Sequence, residues 1–296
     1  MITETFADRV AGLVETRVSR PQAIAEAAAR RARRETLLGP TGKLMLIAAD
    51  HPARGALGAG ARPQAMADRR DLLERLCAAL DRPGVDGVLG TPDIIEDLLL
   101  LGVLDGKVVI GSMNRGGLAG TSFEIDDRFT AYDAGQVAGQ GLDGGKMLLR
   151  IDDEDPATVR TLESCARAVS GLAAQGRMAM IEPFVSRRVD GRLRNVLTPE
   201  AMIRAIAISS GLGVTSAYTW LKVPVVDDME RVMAASTLPA LLLGGEVPDD
   251  PDAALAGWQQ ALRLPTVMGL VVGRALLYPP DDDVDRAVDA ALEVLR

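Results

Sequence analysis

Four lysines stand against 29 arginines in a chain of 296 residues, and two of the four fall inside apolar runs where an ammonium group is out of place. Lys222 sits in Trp220-Leu221-Lys222-Val223-Pro224-Val225, and Lys146 in Gly144-Gly145-Lys146-Met147-Leu148-Leu149-Arg150. Arginine stays charged and is a poor nucleophile, whereas a lysine that has lost its proton attacks a ketone or aldehyde to form a Schiff base. An unpaired buried charge is costly, so Lys222 must be paired with a carboxylate such as Glu182 or be held neutral. Spacing alone leaves both open. Lys146 bears on the choice, because two ammonium groups in one cavity repel and one of them gives up its proton more readily; it also suits simple pairing with an interior acid. Lys43 and Lys107 precede their apolar runs and are expected to be ordinary solvated charges.

Other chemistry-bearing residues fall at the ends of similar runs. Glu182 suits a proton shuttle for carbinolamine formation and carbon–carbon cleavage, and equally an ion-pair partner. Asp50 opens the turn Asp50-His51-Pro52-Ala53-Arg54-Gly55, where it either binds substrate hydroxyls or caps the turn; His51 and Arg54 are grouped with it as substrate-binding. Arg150 lies four positions after Lys146, on the same face of a strand of period two. Gly244-Gly245 and Gly273-Arg274 are the pattern of a phosphate site, with backbone N–H groups at glycine turns and a guanidinium for bidentate contact. Glycines needed only for tight turns are the plainer alternative. Ser112-Met113-Asn114-Arg115-Gly116-Gly117 leads into a glycine-rich loop ending near Asp127, with no role assigned.

The elements that must position these groups form a regular rhythm. Apolar runs occur at Leu44–Ala49, Val85–Leu89, Lys107–Gly111, Lys146–Ile151, Met178–Pro183, Tyr218–Val223, Ala240–Gly245 and Met268–Gly273, each followed by a helical stretch. Such runs are what a parallel sheet covered by helices requires. Eight strand–helix units in about 250 residues is the count of a (β/α)8 TIM barrel, whose chemistry sits at the C-terminal ends of the strands. A doubly wound sheet is the rival, but no Gly-x-Gly-x-x-Gly follows the first run. Thr198-Pro199-Glu200, Asp155-Pro156 and Asp281-Asp282-Asp283 mark helix starts. Before the barrel, residues 2–36 read as two helices, the second over 21–34. The expected division is an N-terminal helical extension, 1–39, and a catalytic barrel, 40–296.

Composition removes other classes. The net charge of −8 argues against a nucleic-acid groove or an anionic membrane surface as partner. There is no run of 18 apolar residues, and the acidic N-terminal stretch does not read as a signal peptide. Cys77 and Cys165 read as buried free thiols of a reducing compartment, so a cytoplasmic location is expected. With His51 the single histidine, no metal site and no cofactor are expected.

Four stretches carry a resemblance. Ala49-Asp50-His51-Pro52-Ala53-Arg54-Gly55-Ala56-Leu57, Gly144–Arg150, Leu221-Lys222-Val223-Pro224-Val225 and Gly269-Leu270-Val271-Val272-Gly273-Arg274-Ala275 resemble the class I (Schiff-base) aldolases on a (β/α)8 barrel. The pattern is similar to tagatose-bisphosphate and sulfofructose-phosphate aldolases and to their archaeal-type fructose-bisphosphate relatives, over residues 40–290. The resemblance implies that Lys222 forms the Schiff base, Glu182 is the acid/base and Lys146 contacts the reacting carbinolamine or hydroxyl. It further implies that Asp50 holds a substrate hydroxyl and that Gly245, Gly273 and Arg274 hold phosphate. Two departures stand out. The first run carries an insertion near His51-Pro52, and Phe184 stands where archaeal-type relatives carry an aromatic proton donor.

The sequence also resembles barrel proteins that accompany inositol breakdown in actinobacteria. That likeness implies cleavage of 6-phospho-5-dehydro-2-deoxygluconate to dihydroxyacetone phosphate and malonate semialdehyde, with Arg150 meeting the carboxylate. Alternatives are another Schiff-base reaction such as acyl transfer, and a non-catalytic sugar-phosphate-binding barrel. The partner expected is a small phosphorylated sugar or keto acid, with the chain acting as a homo-oligomer.

Overall fold

Each of the eight apolar runs becomes a strand, and the eight close on themselves. The computed structural model describes residues 5–39 and 41–296. Residues 2–4 of the expected first helix and Pro40 lie outside the described residues. In chain order the elements are α1 (Phe6–Ser19), α2 (Ala23–Arg30), β1 (Leu44–Ala48), α3 (Arg69–Asp81), β2 (Gly87–Gly90), α4 (Pro92–Leu100) and β3 (Val108–Ser112). There follow α5 (Ala134–Gly139), β4 (Gly144–Ile151), α6 (Ala157–Ala174), β5 (Met178–Val189), β6 (Arg192–Asn195), α7 (Pro199–Ser210) and β7 (Thr219–Pro224). The chain ends with α8 (Met229–Met233), β8 (Ala240–Leu243), α9 (Pro251–Ala261), β9 (Val267–Val272), α10 (Arg274–Leu277) and α11 (Val284–Glu293). Hydrogen-bonded neighbours run β4-β3-β2-β1-β9-β8-β7-β5, and β4 also pairs with β5. All these pairings are parallel. The closed ring is a (β/α)8 TIM barrel and excludes the doubly wound sheet.

Strand β6 is the element that hydropathy missed. It pairs antiparallel with the extended end of β5, and its residues are mostly polar and exposed, so it forms no apolar run. The turn was legible: Asp190-Gly191 has both residues at positive φ, 51° and 75°, the conformation of a tight hairpin turn.

Period two sorts the strand residues. Leu44, Leu46, Ala48, Ile110, Met178, Met180 and Leu241 fill the barrel interior, while Met45, Ile47, Val109, Met147, Leu149, Ile181 and Val272 pack outward against the helices. The interior is therefore apolar in its lower layers, and the next inward positions along the strands are Asp50, Ser112, Lys146, Glu182 and Lys222.

Strand β9 breaks its own parity. Its register with β8 shifts between Ala240 and Leu242, and Gly269 sits at φ 139°. The bulge turns Val271 inward and Leu270 outward, and it sends Gly273 to the barrel mouth.

The N-terminal helices pack on the barrel's flank, α1 against α3 and α2 against α4. The second helix stops at Arg30, short of the expected residue 34. Arg31 is buried and donates to the carbonyls of Lys107 at 2.8 Å and Gly141 at 2.7 Å; a continued helix would pull it off the rim. Lys43 and Lys107 are half-buried rather than freely solvated. Lys43 Nζ donates to Val267 O at 2.5 Å and Lys107 Nζ to Val85 O at 2.7 Å, so each ties strand ends at the lower rim. Cys165 is buried as expected, but Cys77 is only half-buried. Among the described residues no helix is long and apolar enough to cross a membrane.

A Cβ at Gly269 would lie 2.0 Å from Leu44 O in a backbone conformation that L side chains rarely adopt. Gly269→Ala is expected to destabilise the barrel by about 3 kcal/mol or to prevent folding, as read by urea unfolding followed by circular dichroism.

Candidate active site

Strands β4, β5 and β7 lie side by side, and each delivers one charged side chain at the same height. Lys222 Nζ donates to Glu182 Oε1 at 2.9 Å. Lys146 Nζ lies 2.5 Å from Glu182 Oε2 and 3.1 Å from Asp50 Oδ2. Glu182 thus holds one amine on each oxygen. Asp50 Oδ2 also accepts from Ser112 Oγ at 2.9 Å and faces Arg115 Nη1 at 3.1 Å. Asp50, Arg115, Lys146, Glu182 and Lys222 are each no more than 9% exposed.

Local chemistry explains why the chain holds this shape. Strand β3 ends at Ser112, and Asn114 continues its work with a side-chain amide. Its Nδ2 donates to Leu148 O at 2.6 Å and its Oδ1 accepts from Leu148 N at 2.7 Å. That pair anchors β4 midway between Lys146 and Arg150. Arg115 Nε donates to Asn114 O at 2.5 Å, and Nη1 reaches Asp50 O at 3.2 Å, which fixes the guanidinium.

The electrostatics follow from burial and pairing. Burial pushes Glu182 up, but Lys146 and Lys222 together outweigh it and hold the carboxyl well below the usual range. Asp50 is likewise raised by burial and brought well below its ordinary value by Arg115, Lys146 and Lys222. Burial dominates at Lys146, which falls to about 8 despite Asp50 and Glu182; Arg115 and Lys222 lower it further. His51 is held well below its ordinary value by burial, against the pull of Asp50 and with the push of Arg274, Lys222 and Arg54. It is therefore a neutral imidazole, and its Nδ1 is buried without a hydrogen-bond partner.

Two more groups surround this cluster. Glu124, from the long loop after β3, lies 3.2 Å from Arg150 Nη2 and 3.1 Å from Arg54 Nη1 through Oε1, while Oε2 accepts from Gly120 N at 2.9 Å. Burial and then Arg54 pull Arg150 down to about 10, so it remains charged at neutral pH. Across the mouth, Gly245 turns at φ 66° and Gly273 precedes the four-residue helix α10. A Cβ on Gly273 would lie 2.3 Å from Ala48 O and 3.1 Å from His51 Cε1, so the turn admits only glycine. Arg274 donates to Gly245 O at 3.1 Å and pairs with Glu246 at 2.6 Å.

The lysines, Glu182, Asp50, the arginines and the glycine turns line one cavity of about 210 Å³ at the C-terminal mouth of the barrel. Lys222, Glu182, Lys146, Asp50, His51, Arg54, Arg150, Gly244, Gly245, Gly273 and Arg274, named from the sequence, all reach it. Arg115 and Glu246 also line it, and sequence reasoning gave neither a role. The hairpin brings Asn195 and Leu197 to the wall. Glu124 escaped notice because a lone acid in a loop carries no spacing signal. Two residues read as free anion binders are already engaged: Arg150 by Glu124, and Arg274 by Glu246. Among the described residues no group of three or more His, Cys, Asp or Glu is placed to hold a metal ion.

A family model described as Cgl0159-like matches residues 42–292. The chain belongs to that family. The crystal structure of Cgl0159 from Corynebacterium glutamicum shares 53% identity over 97% of each chain, with a TM-score of 0.95. A structure of an archaeal fructose-1,6-bisphosphate aldolase, its catalytic lysine covalently bound to the carbinolamine intermediate of the substrate, aligns at 19% identity. The alignment covers 92% of this chain and 99% of that one, with a TM-score of 0.64. Fructose-bisphosphate aldolase from Slackia heliotrinireducens aligns at 15% identity over 94% and 91%, with a TM-score of 0.60. At such identities the likeness is one of fold. No curated protein matches the chain.

Removing Glu182 strands two buried amines. Glu182→Leu is expected to cost about 3 kcal/mol of stability at pH 6. Lys146 binds its proton less tightly in the fold than when unfolded, so stability rises with pH from about 8 towards the free-lysine value. The loss in Glu182→Leu is therefore expected to be smaller at pH 9.5 than at pH 6. Equal losses in urea titrations at the two values would count against the buried-charge account.

Proposed function

We propose that the chain is a class I aldolase, cleaving a phosphorylated ketose or keto acid to dihydroxyacetone phosphate and an aldehyde. The observation that carries this is Glu182 bonded to two buried amines at the barrel mouth, with the glycine turns and Arg274 in the same cavity. The free amine of Lys222 attacks the substrate ketone. Glu182 and Lys146 stand beside the carbinolamine and manage its protons as water leaves. The iminium is then the electron sink for carbon–carbon cleavage, and hydrolysis releases the ketone product. The phosphate sits against Gly244, Gly245, Gly273 and Arg274, displacing Glu246 from the guanidinium. Asp50, His51 and Arg54 contribute to substrate binding. The fold likeness to an aldolase whose own lysine carries a carbinolamine supports the chemistry by analogy of fold.

The substrate we favour is 6-phospho-5-dehydro-2-deoxygluconate, giving malonate semialdehyde as the aldehyde, with the ketone on Lys222 and the carboxylate facing Arg150. Tagatose bisphosphate, fructose bisphosphate and sulfofructose phosphate are the alternatives, and a homo-oligomer in the cytoplasm is the proposed setting. A second reading, a sugar-phosphate-binding barrel without catalysis, is favoured by the pairing of Lys222 with Glu182.

Borohydride added with dihydroxyacetone phosphate separates the two readings. A reduced adduct on the Lys222 peptide is expected, insensitive to prior chelator treatment, with its loss and a drop of about a thousandfold or more in kcat/KM in Lys222→Met. Ligand binding without any adduct would leave the binding barrel as the correct reading.

A further inference from the structure

The proposed cleavage needs a group that takes up a proton near neutral pH and gives it back. Four titratable side chains surround the reacting end of the cavity. Glu182 is clamped between Lys146 and Lys222, and Asp50 between Arg115, Lys146 and Ser112. Each is a weak proton acceptor, because its charge is already shared among close donors. His51 carries an unpartnered Nδ1 3.9 Å from Asp50, but burial and the nearby charges of Arg274, Lys222 and Arg54 outweigh Asp50 and make it a weak proton acceptor too. Lys146 remains, bonded to both carboxylates and separated from Lys222 only by Glu182.

We infer that Arg115 is the positioning residue that poises Lys146, the amine beside the reacting hydroxyl, for the proton transfer of the cleavage step. Arg115 does so by sharing the Asp50 oxygen that Lys146 would otherwise hold with Ser112 alone. The assignment of the step rests on the Schiff-base reading; the poise does not. The charged and titratable groups facing Lys146 are Asp50 and His51 after β1, Arg115 after β3, Glu182 on β5 and Lys222 on β7. Arg115 is a permanent cation fixed by Asn114 O and Asp50 O. It weakens the hold of Asp50 on the Lys146 ammonium and adds a repulsion of its own, and both favour the free amine.

The step balances. The Lys146 amine takes the proton of the substrate hydroxyl on the carbon β to the iminium carbon. The hydroxyl oxygen closes the aldehyde carbonyl as the carbon–carbon bond breaks, and that bond's electron pair moves through the new enamine onto the Lys222 nitrogen. The Lys146 ammonium returns the proton to the enamine carbon. Water then hydrolyses the iminium, replacing the water lost when it formed, and frees ketone and amine.

With four lysines in the chain, protein labelled with 13C at the lysine ε-carbon gives a spectrum that single variants assign. The signal missing in Lys146→Arg is expected to titrate near pH 8 in the wild type and about one pH unit higher in Arg115→Gln. The kcat–pH limb should move with it. Arg115→Lys, which keeps a charge but lacks the fork, should shift the midpoint the same way by less. An unchanged Lys146 midpoint in whichever of the two variants folds overturns the poise. A midpoint that moves while the kcat limb stays put overturns Lys146 as the proton carrier. Borohydride trapping on the same proteins is a separate readout: its failure removes the aldolase reading and leaves the titration result standing.

Discussion

The structure depends on a row of alternating charges on buried side chains. Lys222, Glu182, Lys146, Asp50 and Arg115 form a chain of contacts between 2.5 and 3.1 Å, all inside the barrel. Desolvating such groups is expensive, and only close pairing offsets it. The pairing is incomplete in number: three cations share two carboxylates. One surplus positive charge among buried groups is relieved when an amine gives up its proton. The same arithmetic that makes the site costly to fold makes an amine available for chemistry.

The barrel is what permits this arrangement. Its lower interior is leucine, isoleucine, methionine and alanine, which excludes water from below and sets the height at which polar groups begin. Neighbouring parallel strands β4, β5 and β7 then place Lys146, Glu182 and Lys222 within hydrogen-bond reach. The bulge at Gly269 sets the parity of β9, so that Gly273 rather than a larger side chain reaches the mouth beside His51. The charged side chains and the glycine turns thereby stand on the backbone of paired strands.

The loops do a second job. Asn114, Arg115 and Glu124 come from the segment between β3 and α5, and they brace β4, Asp50, Arg54 and Arg150 from above. Glu124 pairs with Arg54 and Arg150, and Glu246 with Arg274, so each of these guanidinium groups has a carboxylate partner. The β5–β6 hairpin rises beside the same opening and adds Asn195 and Leu197 to the wall.

Much of this was written in local pattern. Eight apolar runs, the proline and aspartate helix starts, and two lysines out of place in a chain rich in arginine made the barrel and the charged end of its interior legible. They did so because strand periodicity and the cost of burying charge act residue by residue. Partnership was not legible in that way. Glu182 could be foreseen beside Lys222, but its grip on both amines depends on the shear between β4, β5 and β7. Arg115 and Glu124 reach their partners across 65 and 26 residues, a distance no spacing rule spans. The flipped parity of β9 and the exposed strand β6 likewise arise from pairing between strands. What the sequence determined by itself was which residues must be buried or turned; which charge neutralises which was decided only when the ring closed and set them at angstrom distances, where electrostatic energy is chosen.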